Sequence, residues 1–335
     1  MGKKASMLRA LTLALVLAFS PALGFGLDGE GDNGRAPKAM LERAVAMESA
    51  GKRTVALRTY GAVIKKFPHS AEAPEALMRR GSLFMGQRRH RRAFHCFQRL
   101  LDKYPDSSCY VQTIELEYEM AKSIMDGKRS YLFWGKIPGF RDRTAAIDFF
   151  KKIIERVPYG EFVPDALMGV AKLSMRGKDP AAAIVALEKL VDEYGNSPLA
   201  PEALLFLAEI YRNSVPGKKY DQKMTREAIN CYSEFLMAFP DSPLAPMAEQ
   251  KLAEATDFLA GGIMSIGDFY YNKRQNPMGA KTYYEKAIKL ATADSPTAAE
   301  AEKRLMAIEA GKRGKGSPLD PILGAYRQKF DSRTE

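Results

Sequence analysis

The chain has 335 residues, of which 46% are hydrophobic, and its formal net charge is +11 at pH 7. The apolar content is sufficient for a continuous core, and the moderate basic excess suits an acidic partner or an anionic surface. Its three cysteines lack Cys-x-x-Cys spacing, and its three histidines lack a ligand or base motif. The composition therefore argues against an enzyme and predicts no cofactor and no metal.

The first 24 residues have the pattern of a secretory signal peptide. Three basic residues precede a short apolar run, Leu11 to Phe19, and Ala22-Leu23-Gly24 is a small-x-small cleavage site. The run is shorter than a membrane-spanning helix requires, and an uncleaved anchor is the alternative. We expect cleavage after Gly24 and a flexible lead-in over residues 25–36, which are rich in Gly, Asp and Asn.

One sequence frame then recurs along the chain, and it is clearest between Ala228 and Pro246. Ala228 and Tyr232 are four residues apart and share a helix face, Pro240 ends that helix, and Pro246 suits the start of the next. The alanine that opens the frame recurs at positions 56, 93, 146, 183, 228 and 280. In the first five copies the turn residue, proline or once Gly195, follows 12 residues later. Each copy predicts a helix, a turn and the start of another helix.

The spacing of these alanines is 37, 53, 37, 45 and 52 residues, so the basic unit is close to 37 residues. Tetratricopeptide repeats have about 34 residues, and the pattern resembles them. The longer spacings indicate insertions between paired helices. We predict an all-α, right-handed helical-repeat solenoid of about six helix pairs, with N-terminal repeats over 37–197, C-terminal repeats over 198–310 and a flexible tail over 311–335. Four apolar residues of the tail share an amphipathic pattern: Ile322, Leu323, Tyr326 and Phe330.

Two further features are candidate binding elements. The first insertion, residues 128–140, holds the single tryptophan, Trp134, which either plugs the groove or anchors a partner. The run from Gln87 to Arg92 is the densest basic feature of the chain. It is either a solvated helix face or a contact to an anionic membrane surface or an acidic partner. Nucleic acid is not expected as a partner of an exported chain.

The second insertion carries a family resemblance. It ends in Asp221-Gln222-x-x-Thr225-Arg226-Glu227-Ala228, and the following Phe239-Pro-Asp-Ser242 and Gly267-Asp-Phe-Tyr-Tyr-Asn-Lys-Arg274 continue the pattern. These segments, with the long helix that leads to Gly267, resemble the BamD (ComL-like) outer-membrane assembly lipoproteins. The resemblance is good over about 180–305 and looser over 37–180. The family's lipobox cysteine is not present here, because Phe25 follows the cleavage site, and the family usually has five repeats rather than six.

The resemblance implies a non-enzymatic periplasmic scaffold, at the inner face of the outer membrane and not lipidated at a lipobox. Such a scaffold assists the assembly of outer-membrane β-barrel proteins by binding unfolded segments of them and a β-barrel assembly subunit. The resemblance places the substrate end near Arg79, Arg80 and Tyr118 and the partner end at the C-terminal repeats. The full set of candidate partner-binding residues is Arg79, Arg80, Arg88, Arg89, Tyr118, Trp134, Tyr270, Tyr271, Lys273 and Arg274.

An adaptor of the Tol-Pal type, which belongs to a different class of envelope protein, is the alternative function. Those repeat proteins usually carry a coiled coil before the repeats. Residues 25–36 are too short and too rich in glycine to form one, so the sequence disfavours this alternative.

Overall fold

The computed structural model describes residues 35–129, 131–132, 137–138, 142–214, 222–292, 294–312 and 314. The predicted signal peptide, Trp134 and most of the predicted tail lie outside these residues. The chain divides into two compact units, and the border falls between Arg80 and Gly81. Within the described residues, no helix combines the length and the apolar character that a membrane span requires.

The described residues form thirteen α-helices and one short hairpin. The helices of the first unit are α1 (Arg35–Ser49) and α2 (Arg53–Lys66), and α3 (Glu72–Gly86) contains the border between the units. The second unit continues with α4 (His90–Lys103), α5 (Tyr110–Met125), β1 (Tyr131–Leu132), β2 (Ile137–Pro138), α6 (Arg143–Arg156), α7 (Val163–Arg176), α8 (Pro180–Glu193), α9 (Ala200–Asn213), α10 (Gln222–Ala238), α11 (Ala245–Asn272), α12 (Pro277–Leu290) and α13 (Pro296–Glu309). β1 pairs antiparallel with β2, and Leu132 lies opposite Ile137.

The predicted all-α helical-repeat fold is confirmed. The even-numbered helices from α2 to α12 each carry one copy of the frame, which gives six helix pairs followed by α13. The frame alanines have no exposed surface, and the side chains four residues later are at most 2% exposed. The frame therefore marks the contact line between helices. The alanines are Ala56, Ala93, Ala146, Ala183, Ala228 and Ala280, and the larger partners are Tyr60, Phe97, Phe150, Leu187, Tyr232 and Tyr284.

Glycines in neighbouring helices make room for the buried rings. A Cβ atom at Gly267 would lie 2.6 Å from the ring of Tyr284, and one at Gly169 would lie 2.8 Å from the ring of Phe150. Both distances are too short for a carbon–carbon contact, so the ring packs directly against the helix backbone. This close approach explains why the positions that face the frame aromatics are small.

Asp, Asn and Ser side chains cap the N-termini of several helices. Asp142 accepts a hydrogen bond from the amide of Ala145 at the start of α6, and Asp179 does the same for Ala182 at the start of α8. Asn276 and Ser295 cap α12 and α13 in the same way. Because the first amides of a helix lack intrahelical partners, these caps fix where each helix starts.

The three insertions take two forms, loops and a longer helix. The first two lie between paired helices, at α5–α6 and α9–α10, as predicted. The residues of the third lengthen α11 to 28 residues, whereas α12 has 14, in agreement with the long helix that the family resemblance covers. At 1.5 Å per residue, α11 is about 21 Å longer than its partner helix. The extra length forms the C-terminal half of α11, which contains the predicted partner-binding residues Tyr270 and Tyr271, and Lys273 and Arg274 directly follow it.

Candidate partner-binding surfaces

The C-terminal half of α11 borders a cavity of about 490 Å³, which we name the α11 groove. Ile266 and Phe269 present its apolar surface, with 36% and 47% of their area exposed, and Lys273 lies one turn further on. These three residues share one side of the helix because they are three and four positions apart. Exposed apolar surface inside a concave site with a charged rim is typical of a binding surface. The groove is lined by Gln222, Gly262, Ser265, Ile266, Asp268, Phe269, Asn272 and Lys273.

The predicted partner residue Tyr270 has an internal contact. Its ring stacks on Tyr283 of α12, with centroids 5.3 Å apart and an angle of 13° between the planes. Phe269 meets Tyr270 edge-on at 5.9 Å, and the Arg274 guanidinium lies 5.5 Å from the Phe269 centroid. Tyr270 therefore packs α11 against α12, and the neighbouring Phe269 presents the exposed aromatic surface.

Tyr271 also has an internal contact, to the segment that follows α13. Its hydroxyl donates to the carbonyl of Lys312 at 2.6 Å, and the Gln275 side chain donates to the carbonyl of Gly314 at 3.4 Å. Lys273 and Arg274 are exposed, and no acidic side chain in the described part of the chain pairs with either of them. Of the four predicted partner-binding residues at the C-terminal end of α11, Lys273 and Arg274 are thus more accessible to a partner than Tyr270 and Tyr271.

A network of polar side chains holds the helices around the α11 groove together. The hydroxyl of Tyr284 donates to Asp268 at 2.8 Å, and Arg304 of α13 forms an ion pair with the same carboxylate. Burial, followed by the hydrogen bond to Asp268, raises the pKa of Tyr284 above its ordinary value. Asp268 therefore connects α11, α12 and α13 at one point.

Arg79 takes part in a similar network in the first unit. The hydroxyl of Tyr60 donates to Glu48 at 2.5 Å, and Arg79 pairs with Glu75 at 2.7 Å and approaches Glu48 at 4.0 Å. Arg80 is half-buried, and its guanidinium carbon is 3.3 Å from the position of a Cβ at Gly61. Both arginines, which the sequence assigns to the substrate end, contact the helices of their own unit.

The basic run at α4 separates into two groups. Arg91 forms an ion pair at 2.8 Å with Asp142, which is the residue that caps α6. The other three arginines, Arg88, Arg89 and Arg92, are named the basic patch. The guanidiniums of Arg89 and Arg92 lie 5.0 Å and 5.9 Å from the ring centroid of Phe84. Burial and the neighbouring Arg92 lower the pKa of Arg89. Two cations are thus held side by side on one aromatic ring.

Tyr118 of α5 is half-buried in the second unit. Its ring stacks on Phe162 with centroids 4.8 Å apart, and the Lys122 ammonium lies 5.7 Å from its ring centroid. Burial and then the Asp165 carboxylate raise the pKa of Tyr118 to about 12. The predicted substrate residue is therefore part of an aromatic contact with the loop before α7.

Glu117, next to Tyr118, was not among the predicted residues. It is 1% exposed, and burial raises the pKa of its carboxyl to about 7. Gln98 of α4 donates to Glu117 Oε1 at 2.8 Å, and Arg156 of α6 donates to Gln98 at 2.9 Å and to Asp102 at 2.6 Å. Glu117 Oε2 is buried and receives no hydrogen bond from the described residues. This chain of polar groups links α4, α5 and α6.

A second cavity of about 320 Å³ lies among α7, α9, α10 and α11. Its apolar wall includes Leu244 and Met247, which are 39% and 45% exposed, and Phe206. Lys172 and Glu202 at its edge form an ion pair at 2.8 Å. In the described residues, no group of three or more His, Cys, Asp or Glu side chains is placed to hold a metal ion.

Comparison with protein families finds two matches. The model of the family described as outer membrane lipoprotein, YfiO, matches residues 141–311, and a tetratricopeptide repeat model matches residues 41–108. The protein described as outer membrane protein assembly factor BamD from Caulobacter vibrioides is 25% identical over 130 residues. That alignment covers 39% of this chain and 43% of the relative, so the chain matches less than half of the relative's length.

Solved tetratricopeptide repeat structures are similar to most of the chain at low identity. A protein from Parabacteroides merdae is 12% identical, with a TM-score of 0.34, over 82% of this chain and 100% of that chain. The C-terminal part of a repeat protein from Cytophaga hutchinsonii is 13% identical, with a TM-score of 0.35, over 79% of this chain and 87% of that chain.

Proposed function

Because the chain belongs to the YfiO family of outer membrane lipoproteins, we propose that it is a non-enzymatic repeat scaffold in the assembly of outer-membrane β-barrel proteins. The match of this family over residues 141–311 is the observation that carries the proposal. The similarity to an outer membrane protein assembly factor over part of the chain supports the same process. Stacked helix pairs offer long surfaces that suit the binding of other proteins.

We propose the α11 groove as the site for a partner subunit of the assembly machinery. Its exposed Ile266 and Phe269 supply apolar area, and Lys273 and Arg274 supply positive charge at its rim. The Asp268 network holds α11, α12 and α13 in fixed positions, which lowers the ordering cost of binding. The groove lies inside the region that the family matches.

The N-terminal repeats are proposed to bind extended segments of unfolded outer-membrane proteins, as the predicted substrate end near Arg79, Arg80 and Tyr118 implies. In this proposal Arg79 and Arg80 shape a surface of the first unit and Tyr118 a surface of the second, because each side chain already contacts its own unit. The recognition would then depend on neighbouring exposed side chains and on the helix backbones.

We propose that the mature chain begins after Gly24 and is periplasmic, at the inner face of the outer membrane. Phe25 rather than cysteine follows the proposed cleavage site, so the proposal includes no acyl chain there. The basic patch is proposed to hold the chain at an anionic membrane surface, where each basic residue contributes about 1 kcal/mol.

The test is affinity capture from detergent-solubilised cell envelopes with the tagged full-length chain. We expect recovery of a large β-barrel assembly subunit with the parent and much weaker recovery with Phe269→Ser. Val185→Ser is the matched control, because Val185 is also apolar and 66% exposed but lies on α8. Equal recovery by the parent and Phe269→Ser would refute the placement of the partner site. Recovery of Tol-Pal components instead would favour the envelope-adaptor alternative.

A further inference from the structure

We propose that the chain's own residues 315–335 bind in the α11 groove and cover Ile266 and Phe269. The proposal rests on the proposed function only in treating this groove as a binding face. It adds an intramolecular ligand for that face. Three observations carry it: the path of residues 311–314, the length of chain that follows, and the match between the chemistry of the segment and that of the groove.

The described chain ends at the rim of the groove. After α13, the Lys312 carbonyl accepts a hydrogen bond from Tyr271, and the Gly314 carbonyl accepts one from Gln275. A side chain at Gly314 would collide with the Tyr271 carbonyl and would lie 3.0 Å from the Cα of Asn272. Asn272 is one of the residues that line the groove. The chain thus passes over the C-terminal end of α11 and reaches the groove at Gly314.

The remaining segment is long enough to cover the groove. From Gly314 to Ile322 is eight residues, which span at most about 27 Å when extended. Along α11, the groove extends from Lys273 back to Gly262, which is eleven residues or about 16 Å. The apolar residues of the segment therefore reach both Phe269 and Ile266 without any change in the described helices.

The chemistry of the segment is complementary to that of the groove. Ile322, Leu323, Tyr326 and Phe330 fall on one face if the segment is helical. Asp320 followed by Pro321 is a sequence signal for a helix start. Such a face would cover the exposed apolar surface of the groove. The residues that flank this face in a helix are the cations Arg327 and Lys329, so the proposed recognition is apolar rather than ionic.

The test is photo-cross-linking within the purified full-length chain. The photoreactive p-benzoylphenylalanine replaces Phe269 in one variant and the exposed Val185 of α8 in a control variant. We expect cross-links from position 269 to peptides from residues 315–335 and none of these from position 185. Cross-links from position 269 only to residues 215–221, or to no peptide, would overturn the proposal.

Two further measurements keep the result specific. A mixture of chains with light and heavy nitrogen distinguishes contacts within one chain from contacts between copies, and mixed-isotope products would assign the groove to a second copy instead. The variant Tyr326→Ser/Phe330→Ser should lose the cross-link without a change in the thermal melt of the helices. Retention of the cross-link in this variant would contradict apolar recognition. No partner is present in these samples, so this result and the capture experiment can fail independently.

Discussion

Replacing Glu117 by glutamine should make the stability of the second unit less dependent on pH. In the folded chain the Glu117 carboxyl has a pKa of about 7, raised from 4.5 mainly by burial. A raised carboxyl pKa means that the folded state binds this proton more tightly than the unfolded state. The stability it contributes is complete below pH 4.5, decreases as the pH rises, and is lost above about pH 7. At pH 8 the folded chain therefore holds a buried carboxylate.

The size of the effect follows from the shift in pKa. A shift from 4.5 to about 7 corresponds to about 3 kcal/mol, since each unit is worth about 1.4 kcal/mol. Glutamine has nearly the same shape and can still accept the hydrogen bond from Gln98, but it does not ionise. We expect Glu117→Gln to have nearly the stability of the parent at pH 4.5 and to be more stable by up to about 3 kcal/mol at pH 8.

The assay is urea unfolding followed by circular dichroism between pH 4.5 and 8.5, with the parent measured beside the variant. The difference between the two chains removes the contributions of groups that both chains share, including Asp102 and Arg156, which face Glu117 from α4 and α6. Glu119→Gln is the matched control, because Glu119 is exposed on the same helix. A difference between parent and Glu117→Gln that stays constant with pH would refute the reasoning.

Three further predictions concern packing and charge. Gly267→Ala should lower the midpoint of thermal unfolding, because the new methyl group would collide with Tyr284. Gly86→Ala is the control, because the space around Gly86 is open, and it should not lower the midpoint. Equal midpoints for the two variants would contradict the close contact at Gly267. Ala228→Leu should cost roughly 1–3 kcal/mol by overpacking a fully buried position, which urea unfolding measures. Replacing the three arginines of the basic patch by serine should weaken co-sedimentation with anionic vesicles at low salt. If the parent chain does not bind these vesicles at low salt, the proposed membrane role is wrong.

The repeat architecture was predictable because its signals are local. Ala228 and Tyr232 are four residues apart, and Pro240 follows at a fixed distance, so the helix, its buried line and its end can be read from about 20 residues. The alanine and the large side chain four residues later recur in all six pairs, and the turn residue recurs in the first five. The length of α11 was expected from the family resemblance and not from the frame spacing, because a long spacing is compatible with either a loop or additional helical turns.

The assignments within the candidate site depended on contacts that are distant in sequence. Tyr271 donates a hydrogen bond to a residue 41 positions away, and Arg91 donates one to a residue 51 positions away. These internal contacts could not be predicted from local spacing. The exposed position of Phe269 could have been predicted from the sequence, because Phe269 shares a helix face with Ile266 and Lys273. The buried position of Glu117 could have been predicted too, since it occupies an apolar-periodic position between Ile114 and Met120 on α5.

The continuity of α11 has a consequence for how the C-terminal repeats unfold. Its 28 residues span about 42 Å, and its length packs against α10, α12 and α13. In ordinary repeat arrays each unit contacts only its neighbours, so the terminal units fray one at a time. Here the single helix α11 contacts α10 of the preceding pair as well as α12 and α13, so loss of α12 and α13 exposes half of α11. We therefore expect α10 to α13 to unfold as a single cooperative block, and a force applied at the groove to be transmitted along α11 to the preceding pair.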